Sequence, residues 1–169
     1  MEKSQEAIAE AKKRLLIADH MTSFTYPLVN NDDRLLVPIA ENIFLALTSV
    51  LAALLYYERA LKRIPPFHDT FDSKYYLFAE EVSEKHNLTP KYKGLLMEIR
   101  ALLLAHRESP VEFSRNKKLV MCTDNYKDVK TISIDKIKNY LVLAKQFFDD
   151  VEKIMCENAK ISVGSKRRT

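Results

Sequence analysis

Residues 42–57 read Asn42-Ile-Phe-Leu-Ala-Leu-Thr-Ser-Val-Leu-Ala-Ala-Leu-Leu-Tyr-Tyr57, 16 positions without a charge. A membrane span needs about 20 apolar residues, and this run carries Thr48 and Ser49 at its middle. It is apolar nearly all round from Ile43 to Tyr57. That pattern predicts a helix buried on several sides at the centre of a domain, with no membrane association.

The pattern extends from about Arg34 to Arg63, with Pro38 as a kink or restart, and Pro65-Pro66 ends it. Upstream, residues 4–22 predict a helix capped by Ser4, with Ile8, Ala11, Leu15, Ala18 and Met21 at helical spacing. Tyr26-Pro27 disfavours its continuation, and Asn30-Asn31-Asp32-Asp33 signals a turn. Downstream, Phe71, Tyr75, Phe78 and Val82 form one stripe of a helix over about 69–85. Thr89 and Pro90 suit the start of a fourth helix, running to about Arg107 and stopping before Pro110. Residues 118–132 change character and predict a short β-hairpin that turns at Asp124-Asn125-Tyr126. Ser133 or Asp135 then starts a last helix bearing Ile137, Tyr140, Leu141, Ala144, Phe147, Phe148, Val151 and Ile154. The expected fold is all-α: an antiparallel four- to five-helix up-and-down bundle with a small β-hairpin before the last helix.

Composition agrees. The chain has 169 residues, 47% of them hydrophobic, enough for one packed domain over 1–157 followed by a basic flexible tail over 158–169. Glycines number two, Gly94 and Gly164, against a usual share of about 7%. Sheets with tight turns need more positions of positive φ, so the scarcity favours helices. It also excludes glycine-rich phosphate loops. Cys122 and Cys156 lack a second ligand at metal-binding spacing and read as buried free thiols. No apolar signal-peptide core opens the chain, and a reducing cytoplasm is expected. The net charge is +4. Lys160, Lys166, Arg167 and Arg168 account for all of it, leaving 23 bases against 23 acids before them. Overall charge therefore gives diffuse nucleic-acid binding little support.

Metal and cofactor chemistry find no motif. The residues three before His20, His68, His86 and His106 are Ile17, Pro65, Ser83 and Leu103, so the Glu-x-x-His pattern of di-iron bundles is missing. No two histidines lie four apart, as a zincin requires. His20 reads as a helix-end cation, His68 as a cap for the third helix, and His86 as solvated. Lys62-Arg63 and Lys117-Lys118 are short basic clusters that read first as solvated surface; the alternative is phosphate contact, for which Arg115, Lys117 and Lys118 are the candidate RNA-binding residues. Tyr57 and Tyr75 read as core aromatics.

Arg100-Ala-Leu-Leu-Leu-Ala-His106 remains. It places a permanent cation and a proton-transfer group at the end of an apolar helix. This segment, Arg then five residues then His, late in a helical chain, resembles the HEPN family, and the resemblance covers roughly residues 5–157. It implies an all-α bundle that works as a homodimer. It also implies a metal-independent endoribonuclease activity without cofactor, and a nucleotidyltransferase-type antitoxin as partner. His106 would be the acid or base, and Arg100, with Arg107, would stabilise charge on the phosphate. Other members are non-catalytic, and Ala101 stands where active members commonly carry a polar residue. Six helical positions turn through about 240° net. Arg100 and His106 therefore share a face only if the last turn unwinds, or they serve one cleft only if a two-fold copy completes it. Two readings stand: an endoribonuclease, and a non-catalytic helical module that binds RNA, a nucleotide or a partner protein.

Overall fold

The computed structural model describes residues 1–123 and 127–164. The chain is mostly helical, with a three-stranded antiparallel sheet before the last helix. Helix α1 (Glu2–His20) passes through a π-helical turn (Met21–Thr25) into the short α2 (Tyr26–Leu28). A 3-10 turn (Asp33–Leu35) leads into α3 (Leu36–Ala60). Next come α4 (Phe71–Leu77), a second π-helical turn (Phe78–Val82), α5 (Ser83–Lys85) and α6 (Lys91–Glu108). Strands β1 (Val111–Arg115), β2 (Lys118–Cys122) and β3 (Val129–Ser133) precede α7 (Ile134–Gly164).

Helix α3 is the core helix expected from residues 42–57. It packs against α1, α4, α6 and α7. Ile39, Ile43, Leu47, Leu51, Leu54 and Leu55 are fully or almost fully buried. Together with the 3-10 turn it forms a segment, Asp33–Ala60, long and apolar enough by length and composition to cross a membrane. In this structure 56% of that segment's most apolar window is buried inside the protein.

Several boundaries differ from the sequence expectations. Helix α1 starts at Glu2, so Ser4 lies inside it and its hydroxyl donates to the Met1 carbonyl at 2.6 Å. Helical backbone continues past Tyr26-Pro27, because Pro27 falls in the first turn after the π turn, where a missing N–H costs little. Tyr26 is buried and donates to Asp33 at 3.0 Å. Thr70, not His68, caps α4, accepting from the Ser73 amide at 3.3 Å. Ser133 caps α7 through the Lys136 amide. Helix α7 continues past 157 to Gly164. The rest of the expected tail, residues 165–169, and the expected turn residues Asp124, Asn125 and Tyr126 lie outside the described residues.

The connectivity departs from a strict up-and-down order. Phe44, early in α3, meets Phe71 at the start of α4, with ring centroids 5.5 Å apart. Glu58, at the far end of α3, meets Lys85 and His86 at the end of α5. Start meets start and end meets end, so α3 and α4 run the same way. Residues 61–70, with Pro65-Pro66, carry the chain back between them. Helix α6 then runs opposite to α7: Tyr92 donates to Asp150 and Tyr140 donates to Glu98, both at 2.6 Å.

The expected two-stranded hairpin is a three-stranded meander in the order β1-β2-β3. Strand β1 departs from the sequence expectation: its alternation Val111-Glu112-Phe113-Ser114 is short and all five of its residues are exposed. Asn116 and Lys117 make the β1–β2 turn, both with positive φ (51° and 58°), as the two-residue hairpin turn demands. Leu119, Met121 and Ile132 bury one sheet face.

Candidate functional site

Helix α6 carries Arg100 and His106 and is unbroken from Lys91 to Glu108. The last turn does not unwind, so the two lie about 9 Å apart along the axis and about 240° apart around it. Arg100 turns toward α4. Its Nη1 lies 2.8 Å from Asp72 Oδ1, and its guanidinium stacks 4.7 Å over the Phe71 ring. Asp72 sits in the first turn of α4, where a carboxylate is favoured. Arg100 thereby ties α6 to α4 while its side chain stays a third exposed.

His106 faces the other way. Past Glu108 the chain reverses at Ser109-Pro110, and the Ser109 hydroxyl lies 2.8 Å from the Val111 and Cys122 carbonyls. This locks the start of β1 over the end of α6. Glu112 comes back to His106, with Oε1 2.6 Å from Nδ1. A carboxylate at this position accepts from Nδ1–H, and in the neutral imidazole with that tautomer Nε2 carries the lone pair. The imidazole is about a third exposed. Arg107 is exposed and forms no ion pair among the described residues.

The structure thus brings His106 and Glu112 together, while Arg107, seven helical positions from Arg100, lies nearly above it on α6. It does not bring Arg100 to His106 within one chain. Arg115, Lys117 and Lys118 sit at the tip of the β1–β2 hairpin, about 10 Å of strand from Glu112. Glu112 has no signal in the sequence, because no spacing rule links a strand carboxylate to a histidine on the preceding helix.

Compared with protein-family models, curated proteins and solved structures, the chain matches none.

Two other polar features lie away from α6. Glu58 is fully buried, with its carboxylate bonded to Lys85, 3.1 Å from His86 Nε2 and 3.4 Å from Arg63 Nη1. Burial pushes this carboxyl upward, but the hydrogen bonds and charges of Lys85 and His86 outweigh it and hold it below its usual value. His86 is therefore a buried-pair partner, not a solvated side chain, and Arg63 helps neutralise the core. A cavity of about 600 Å³ opens between α1, α3 and α4, walled in part by Lys3, Ser49, Tyr56, Phe71 and Lys74. Neither His106 nor Glu112 lines it. Cys122 is half-buried and Cys156 exposed, so neither is the buried thiol expected. His20 stacks on Phe24, with centroids 5.2 Å apart, at the end of α1. Among the described residues no three His, Cys, Asp or Glu side chains group as metal ligands.

Proposed function

We propose that this protein is a HEPN-like endoribonuclease that works as a homodimer, with His106 as acid–base group. The observation that carries the reading is the 2.6 Å contact between His106 Nδ1 and Glu112. A proton on Nδ1 shared with Glu112 leaves Nε2 of a neutral ring free to accept, which supports an acid–base role for this partly exposed imidazole. RNA supplies its own nucleophile. Nε2 takes the 2′-hydroxyl proton, and the 2′-oxygen attacks the adjacent phosphorus. The P–O5′ bond breaks, and the imidazolium returns the proton to the leaving 5′-oxygen. The products are a 2′,3′-cyclic phosphate and a 5′-hydroxyl. Arg107 of the same chain stabilises the extra charge on phosphorus, and Arg100 contributes from the two-fold copy. A nucleotidyltransferase-type antitoxin is the protein partner that this reading carries.

The purified chain, in chelator, is expected to cut single-stranded RNA and leave cyclic phosphate ends. His106→Ala should lower the rate by about 10²- to 10⁴-fold while circular dichroism stays unchanged. Absence of cutting, or an alanine variant that cuts equally well, sinks the proposal. One observation favours the second reading, a non-catalytic module: Arg100 is already engaged by Asp72 and Phe71. In that case RNA binding persists without cleavage.

A further inference from the structure

Strand β1 is exposed along its whole length, and the register says what it displays. Directly opposed residues of an antiparallel sheet project to the same side. Phe113 opposes Val120, which opposes Thr131. Val111 opposes Cys122, which opposes Val129, and Arg115 opposes Lys118. These residues share one face. The other face holds Leu119, Met121 and Ile132, which are buried against the helices. The outer face is open: Phe113 is 43% exposed, Val111 41% and Val129 53%. An aromatic ring and aliphatic side chains therefore lie partly exposed on this face among the described residues.

The charges at the hairpin-tip end of this patch are of one sign, with Asp128 beside Val129 at the other end. Arg115, Lys117 and Lys118 are exposed, and none forms an ion pair among the described residues. The nearest strand carboxylate, Glu112, projects from the opposite face and is held by His106. Arg115 is two residues from Phe113 on the same face, about 7 Å along the strand, and Lys118 is directly across from Arg115. A stacking ring thus sits one side chain away from two unpaired cations. A base on the Phe113 ring with its phosphate at Arg115 and Lys118 satisfies both halves of the surface at once. A second copy of this chain laid face to face with the hairpin tips aligned would bring like charges together.

We propose that the outer face of the β1-β2-β3 sheet docks single-stranded RNA, with Phe113 as stacking platform and Arg115 and Lys118 as phosphate contacts. That the strand is RNA rests on the nuclease reading above; the stacking and charge contacts stand without it. The site lies on the face opposite Glu112 and His106, so it holds the strand rather than reacting with it.

The test measures binding alone, by fluorescence anisotropy of a labelled oligouridine with the His106→Ala chain, so failure to cut does not affect it. Phe113→Ala should weaken binding about tenfold, the scale of one base–aromatic stack, and Phe113→Tyr should restore it. Arg115→Glu with Lys118→Glu should weaken binding further. It should also flatten the salt dependence by about 0.7 in log–log slope for each phosphate no longer neutralised. Lys12→Glu with Lys13→Glu, on exposed α1, should do neither. The proposal is overturned if the wild-type surface binds no oligouridine at low salt or if Phe113→Ala binds normally. It is equally overturned if the α1 variant loses as much as the hairpin variant, or if oligothymidine binds tenfold tighter than oligouridine.

Discussion

Lys62 ends α3 with a φ of 57°, the left-handed conformation that L-residues other than glycine and asparagine resist. Its amide donates to the Arg59 carbonyl at 2.9 Å and the Arg63 amide to the Glu58 carbonyl at 3.0 Å, the paired bonds of a Schellman cap. Asn87 closes α5 in the same way, with bonds to Glu84 and from Leu88 to Ser83. With two glycines in the chain, asparagine and lysine take up these positions. Lys62→Gly should relieve about 1 kcal/mol of local strain and raise the midpoint of thermal unfolding by about 2–4 °C. Calorimetry showing no rise would mean that the Lys62 side chain contributes what its backbone costs. At this scale the sequence is only partly readable. Asn30 and Asn31 announce their turn, since asparagine tolerates positive φ. Lys117 announces nothing, because a lysine carries no turn signal. Glu58 follows an apolar run with nothing in the sequence to mark its burial, which depends on Lys85 and His86, 27 and 28 residues away.

Between elements, Glu58 joins the end of α3 to the end of α5. Its carboxyl is held below the usual value when folded. The stability it contributes is therefore complete above the unfolded carboxyl value and is lost as pH falls through the folded one. Glu58→Gln should cost about 2–3 kcal/mol near neutral pH. A fully buried pair broken outright costs about 3–5 kcal/mol, and Lys85 and Arg63 still reach water here. Urea midpoints measured from about pH 6 down to about pH 3 should fall less steeply for the variant than for the wild type. Parallel slopes would show that the group does not titrate as described. The elements themselves are the most legible part of the chain. Residues 42–57 announce the central helix because burial on every side leaves a uniformly apolar record. Strand β1 leaves only the brief alternation Val111-Glu112-Phe113-Ser114, which no buried face reinforces. The parallel run of α3 and α4 is hidden too, since nothing in the composition of residues 61–70 says which way the chain re-enters.

For the whole molecule, the decisive fact is that α6 sends Arg100 and His106 in different directions. A cleft using both must draw them from two chains. Mixing Arg100→Ala protein with His106→Ala protein, each inactive alone, should restore cleavage in the mixed dimers, which hold one intact cleft. Recovery is expected to approach a quarter of wild-type activity per chain, because about half the dimers are mixed and each carries one cleft of two. No recovery, with dimers confirmed by sedimentation, would return Arg100 to its role as a tie between α4 and α6. The sequence displays the Arg-to-His spacing but not this divergence, because whether a helix end unwinds depends on what packs there. Here Ser109, Pro110 and Glu112 fasten it.

The two π turns, Met21–Thr25 and Phe78–Val82, also bear on how this chain can change length. Each turn absorbs one residue more than an α-helix needs, so the segments before and after it stay in phase as though that residue were not there. Removing exposed Ser23 from the first turn, or exposed Glu80 or Glu81 from the second, should close the backbone into ordinary α-helix without rotating Tyr26 away from Asp33 or Lys85 away from Glu58. The same deletion in the middle of α3 would swing half of its buried side chains by about 100°. Relatives of this chain that differ in length by a single residue inside a helix should carry that gap at one of these two places.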